Sequence, residues 1–221
     1  MVEYQKIQTV YLRDPETNMK TLLGGQFALP EFEFLQNLDW EWTEKVDGTN
    51  IRVQYNPYPL IKGVEFQGKT DRAETPNFLL SKLDEMFPLR KLEHVFLFDN
   101  IEDEEDLPMV TLYGEGFGGK IQKGGKYRTD ASFVLFDVKI GKWWLKRAAV
   151  EEIAFKLGIE HVPIIGRGGL KSMVAYAQKG FKSQWGDFIA EGIVARPKVE
   201  LFARDGSRII TKVKFKDFAR V

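Results

Sequence analysis

Short runs in which β-branched and aromatic residues alternate with polar ones recur along the chain, and they limit what it can fold into more than any other feature. They predict strands over residues 40–46, 50–55, 63–68, 109–115, 132–139, 188–196 and 208–215. Apolar residues spaced three and four apart predict helices over 77–87, with Phe78, Leu79, Leu83 and Met86 on one face, and over 147–157, with Val150, Ile153, Ala154 and Leu157. A third helix is expected over 170–179, stopped by Gly180. Strand and helix do not alternate as a doubly wound fold requires, so the class is α+β, dominated by antiparallel sheet with flanking helices. No Pro/Gly/Ser-rich linker divides the 221 residues, and one domain over 1–221 is expected.

Cysteine is absent, which excludes disulfide scaffolds, thiolate zinc sites and cysteine nucleophiles. A cytoplasmic setting is expected, or the host cytoplasm for a viral protein. No stretch approaches the roughly 18 apolar residues of a membrane span, and residues 1–10 lack the apolar core of a signal peptide. The 32 Lys and Arg balance 32 Asp and Glu, so any attraction for nucleic acid must come from local clusters. Lys120, Lys123, Lys126 and Arg128 form one such cluster, flanked by glycines and suited to a phosphate-tracking loop. Arg208, Lys216 and Arg220 add charge near the C-terminus. A basic loop with no ligand is the plain alternative. The acidic run 102–106 reads as a solvated loop, and His94 and His161 read as structural.

The most informative hexapeptide is Lys45-Val46-Asp47-Gly48-Thr49-Asn50, between two alternating runs. Taken alone, its Asp-Gly is also a common hairpin signal. Four further blocks follow in order: Leu112-Tyr113-Gly114-Glu115-Gly116, Phe133-Val134-Leu135-Phe136-Asp137, the stretch from Glu191 to Pro197, and Thr211-Lys212-Val213-Lys214. Glutamates among core-type residues are costly unless paired or metal-bound. Two of them, with lysines at alternate positions of one strand, suit a phosphate and metal site.

Together these five blocks resemble motifs I, III, IIIa, IV and V of the covalent nucleotidyltransferase superfamily of ATP-dependent ligases and capping enzymes, spanning Lys45 to Lys214. DNA ligases and capping enzymes typically carry arginine where this chain has Asn50. Lys-x-x-Gly-Thr-Asn and the stretch from Gly114 to Lys123 are similar instead to the phage RNA ligase 2 family.

The resemblance implies an adenylation domain with an ATP-grasp-like set of antiparallel sheets. It implies ATP-dependent joining of RNA 5′-phosphate and 3′-hydroxyl ends through lysyl-AMP and an adenylylated RNA end. Lys45 would be the nucleophile that carries AMP, and Asn50 would position the AMP phosphate and the 3′ end. Glu115 and Glu191 would act on the ribose and on Mg2+ (or Mn2+), Phe136 would stack on adenine, and Glu44 would meet adenine through its backbone. Lys212 and Lys214 would hold phosphate and disfavour a charged Lys45. The family's phosphate-contacting arginine is replaced by lysine in this chain, so Lys69 and Arg72 share that role; Arg196 is a further phosphate candidate. Phe133, Trp143 and Trp144 are expected in packing, and Asp137, which follows Phe136 as in the family, has a structural role or one the resemblance does not define. Larger relatives carry a C-terminal domain that clasps nucleic acid, whereas no OB or helical domain is expected after motif V here. That implies weak end binding, a partner protein in its place, or slow sealing. The competing readings are a minimal DNA ligase, a capping guanylyltransferase, and an inactive nucleotide- or RNA-binding homologue.

Overall fold

The computed structural model describes residues 2–98, 107–122 and 124–218; the acidic run 102–106 and Arg220 fall outside them. The first strands are β1 (Gln8–Thr9), β2 (Tyr11–Arg13), β3 (Leu22–Phe27), β4 (Trp40–Lys45), β5 (Thr49–Asn56) and β6 (Gly63–Gln67). Then come β7 (Val110–Phe117), β8 (Ser132–Ile140), β9 (Trp143–Trp144), β10 (Glu160–His161), β11 (Ile164–Gly168), β12 (Gly192–Pro197) and β13 (Thr211–Lys214). Helices are α1 (Pro30–Phe34), α2 (Asn77–Met86), α3 (Leu89–Val95), α4 (Arg147–Leu157) and α5 (Leu170–Lys179). The three expected helices are α2, α4 and α5. Helix α4 ends where Gly158 takes a left-handed φ of 58°, its N–H donating to the carbonyls of Ala154 and Phe155. None of the described helices is long and apolar enough to cross a membrane.

Contacts group the chain into two compact units, one of Met1–Tyr4 with Asp47–His161 and one of Gln5–Val46 with Val162–Val221. In the first, a six-stranded sheet runs β10-β8-β7-β5-β6, with β9 on β8. One face carries Ile51, Val53, Leu112, Phe133, Leu135 and Val138, clustered with Leu79 and Leu83 of α2, Leu92 of α3 and Val150, Ala154 and Leu157 of α4. In the second, a five-stranded sheet runs β1-β13-β12-β4-β11 beside the β2-β3 pair. Its core face brings Trp40, Trp42, Ile193, Ala195 and Val213 together with Phe32 of α1 and Leu170, Met173 and Ala177 of α5. Alternation along each strand leaves the opposite face for polar residues.

Two local features depart from the expected pattern. Strand β4 pairs with β11 and β12, whereas β5 pairs with β6 and β7, so Asp47-Gly48 joins strands of different sheets and is not a hairpin turn. In β8 the register against β7 slips: Tyr113 faces Asp137 but Gly114 faces Leu135. This bulge leaves Phe136 as the extra residue, re-aiming the strand at that point.

The glycines around Glu115 answer to packing. A Cβ on Gly114 would lie 2.1 Å from the Phe133 ring and 2.5 Å from the Val134 carbonyl oxygen, and one on Gly116 would lie 2.7 Å from Leu79. The strand presses on the core so closely that these positions admit no side chain. Gly114→Ala is expected to cost about 1–3 kcal/mol by overpacking. Thermal unfolding should show it as a fall of about 2–4 °C for each kcal/mol in a chain of this size.

Candidate functional site

In the second unit, residues facing away from the core form cross-strand rows. Gly192 of β12 sits between Lys45 of β4 and Lys214 of β13, and in the next row Val194 sits between Thr43 and Lys212. Gly192 cannot carry a side chain: a Cβ would fall 2.2 Å from the Val213 carbonyl oxygen. The two lysines are thus separated by bare backbone. Glu191, just before the strand, fills the gap and accepts from Lys45 Nζ at 2.5 Å and from Lys214 Nζ at 2.6 Å. Burial pushes the Glu191 carboxyl up, but the Lys45 charge and the hydrogen bonds from Lys214 and Lys45 outweigh it and hold the group below the ordinary glutamate range.

Glu44 points to the other face of β4. It is buried, accepts from Ser183 Oγ at 2.6 Å and from the Gln184 N–H at 2.8 Å, and so fastens the chain before β12. Burial raises its carboxyl, against the hydrogen bonds from Gln184 and Ser183 that lower it. Its side chain is engaged in structure. Arg196 faces Glu41 across β4 and β12, and Glu41 accepts from Arg167 Nε and Nη2 at 3.2 and 3.1 Å.

In the first unit the polar face of the large sheet also forms rows. Asn50 faces Glu115, and one row on, Gln67, Arg52, Tyr113 and Asp137 lie side by side. Gly48 abuts Glu115: a Cβ there would lie 2.9 Å from Glu115 Cγ and 2.2 Å from the Gly116 oxygen. This close approach is the physical reason for glycine in the Lys-x-Asp-Gly element. The preceding Asp47 N–H donates to Tyr127 Oη at 3.0 Å. Asn50 Oδ1 and Gln67 Oε1 are buried with no hydrogen-bond partner in the protein, as expected of acceptors that await a ligand or water.

Phe136, on the bulge, meets the Tyr4 ring edge-on at 5.1 Å. Tyr4 Oη donates to Asp137 Oδ2 at 2.8 Å. Phe133 is fully buried in the core, Trp144 packs on Tyr113 and Tyr4, and Trp143 is exposed.

Lys69 and Arg72 are exposed on the turn after β6. That turn is held from below by Arg52, whose side chain is fully buried and donates from Nε to the Gly68 carbonyl at 2.8 Å and from Nη2 to Asp71 Oδ1 at 2.9 Å. In the basic loop, Lys120 and Lys126 are exposed, and Lys123 lies outside the described residues. Arg128 forks onto Asp130 at 2.8 and 3.1 Å and lies 3.6 Å from Glu160, so its guanidinium is committed to shaping the loop. The described residues hold no cluster of three or more carboxylates and histidines that would cage a metal.

No curated protein matches the chain by sequence. Among solved structures it resembles an RNA ligase of Naegleria gruberi with PPi, at TM-score 0.65 and 18% identity over 96% of this chain and 56% of that one. A point mutant of that ligase with ATP and Mn gives TM-score 0.62 and 19% identity over 86% and 54%. A third, with AMP and Mn, gives 0.65 and 18% over 96% and 56%. The chain thus spans little more than half the length of these relatives, and at such identity the likeness establishes the α+β nucleotidyltransferase fold. A family model described as RNA ligase matches residues 38–214, from just before β4 to the last residue of β13. Most of the sequence lies within that match, and the chain belongs to the RNA ligase family.

Proposed function

We propose that this protein is an ATP-dependent RNA ligase that charges Lys45 with AMP and passes it to an RNA 5′-phosphate, whose 3′-hydroxyl partner then displaces it. The observation that carries the reading is the strand-end amine of Lys45 paired with Glu191 beside Lys214. In the charging step Nζ of Lys45 loses one ammonium proton to solvent, its lone pair forms the Nζ–Pα bond as the bond from Pα to pyrophosphate breaks, and a second N–H proton leaves to solvent to give the phosphoramidate. An amine within an ion pair keeps its ammonium proton and has no lone pair for attack. Glu191 must therefore part from Lys45 as nucleotide arrives, leaving Lys212, Lys214 and a divalent ion to disfavour the charge on the amine. Lys212 and Lys214, alternate on β13, present positive charge to phosphate oxygens.

Mg2+ or Mn2+ fits the donors present, which are hard oxygens: the Glu115 carboxylate with the open Asn50 Oδ1 opposite it, and separately Glu191. Single carboxylates suit an ion that keeps several waters, and it would supply charge that stabilises the transferring phosphoryl group. Phe136 offers a ring to adenine, and base stacking of this kind is worth about 1–3 kcal/mol. Lys69 and Arg72 provide the phosphate contacts, with Lys120 and Lys126 as exposed cations for RNA. The setting proposed is the cytoplasm, with RNA ends as substrate, and end binding is weak unless a partner protein strengthens it.

The test is incubation with α-labelled ATP and magnesium followed by denaturing electrophoresis, then a nick with RNA or DNA on the 3′-hydroxyl side. Label on the protein and sealing confined to RNA 3′ ends are expected. Absence of a labelled adduct with every nucleotide and divalent ion would sink the proposal, and equal sealing of DNA would favour the minimal DNA ligase. Asn50→Ala is expected to lower sealing about tenfold, the order of one hydrogen bond to a charged group, as measured in the same assay.

A further inference from the structure

Arg52 takes no part in the chemistry above, yet its side chain is fully buried in the middle of β5. Removing a guanidinium from water is costly, and an apolar side chain of similar volume would fill the space with less penalty. What an aliphatic residue could not do is grip two points of one turn. The planar fork of arginine reaches the Gly68 carbonyl with Nε and the Asp71 carboxylate with Nη2, three residues apart.

The turn is closed from the other side as well. The Ala73 N–H donates to the Thr70 carbonyl at 3.1 Å, and Ala73 packs so near Gly68 that a Cβ on the glycine would lie 2.9 Å from its own. Lys69 and Arg72 project from this frame, exposed, on either side of the Thr70-Asp71 pair. Gln67, paired with Arg52 across the strands, and Asn50, two residues before Arg52 on the same face, carry the two open buried acceptors. The clasp therefore belongs to a surface with unmet hydrogen-bonding capacity.

We infer that Arg52 and Asp71 form a clasp that positions Lys69 for the nucleotide phosphate, so that lysine on a fixed turn performs what an arginine otherwise does with its own fork. Lysine is a flexible point charge and gains from a backbone that aims it. Arg52 and Asp71 are positioning residues, and this role rests on the adenylylation reading above.

The exposed partner gives the cleaner variant, because the Asp71 side chain is 58% accessible and its loss opens no cavity. Asp71→Ala is expected to raise the KM for ATP in lysyl-AMP formation about tenfold, the order of one charge-assisted hydrogen bond, with kcat unchanged and the thermal midpoint lowered because a buried guanidinium loses an anionic partner. Lys69→Ala should raise KM to a similar degree, and the double variant should be no worse than Lys69→Ala alone, since the clasp acts through that lysine. Arg52→Met, which keeps the volume, should reproduce the rise in KM. Amide exchange over residues 69–74 in the nucleotide-free protein should quicken in Asp71→Ala, a readout independent of turnover. Effects of Asp71→Ala and Lys69→Ala that multiply, or exchange and KM unchanged in Asp71→Ala while the wild type forms its adduct, would overturn the clasp and leave the ligase reading standing. A wild type that forms no adduct overturns both.

Discussion

Lys45→Ala is expected to take up no label from α-labelled ATP, at any magnesium or manganese concentration, while its circular dichroism and thermal midpoint stay close to wild type. The side chain is only partly buried and lies on the face of β4 turned away from Trp40 and Trp42, so its removal opens no cavity in the core. What is lost is the one nitrogen that can end the charging step as a covalent bond to Pα. Lys45→Arg should be equally inert, because a guanidinium keeps its protons in proteins and offers no lone pair. The third step needs no free amine, so both variants should still seal a strand supplied with a pre-adenylylated 5′ end. That combination separates loss of the nucleophile from loss of the fold. A labelled band on Lys45→Ala that survives denaturation would place the nucleophile elsewhere and end the proposal.

The local alternation that marks this lysine in the sequence also makes most of the fold legible. The runs expected over 40–46, 50–55, 63–68, 109–115 and 132–139 are β4 to β8 to within a few residues. The last two were drawn too long: Ile189 and Arg208, inside the expected runs, make only isolated bridges with Lys182 and Phe202, and the strands proper begin at Gly192 and Thr211. Pairs of two or three residues such as β1, β2 and β10 have no period to detect, and α1 and α3 are too short for helical spacing to stand out. Strand pairing is a long-range property, so nothing local told Asp47-Gly48 from a hairpin; only β12 and β7, far along the chain, settle it.

Within the candidate site, spacing placed Lys212 and Lys214 on one side of a strand, but which of them meets Glu191 depends on register through Gly192. Arg52 lies on the face of β5 turned away from the core yet is fully buried, because the turn carrying Asp71 folds over it, a contact that alternation along the strand does not reveal. Tyr4 gave no local signal at all: its partner Asp137 is 133 residues away. Contacts of this kind are invisible to any reading confined to a window of sequence.

Glu191→Gln tests whether the bridging carboxylate is part of the machinery or only of the fold. Glutamine keeps the shape and one acceptor oxygen but no charge, so the negative charge between Lys45 and Lys214 is removed. Their side chains are 21% accessible and can swing toward water, which limits the stability cost at neutral pH to about 1–2 kcal/mol. Adenylylation should fall much further, by about 10²–10³-fold, the size of losing one preorganised electrostatic group at a phosphoryl-transfer site. The pH dependence gives a second, independent sign. Because the folded carboxyl is held below the ordinary glutamate value of 4.5, the unfolded chain binds that proton more readily. The stability it contributes is whole above that value and is lost as pH falls through the folded one. Wild type should therefore lose thermal stability on acidification below about pH 4.5 more steeply than Glu191→Gln, whose curve lacks this titration. Parallel acid limbs would show that the Lys45–Glu191–Lys214 bridge does not govern the charge of this carboxyl. A variant with normal adenylylation would remove Glu191 from the reaction.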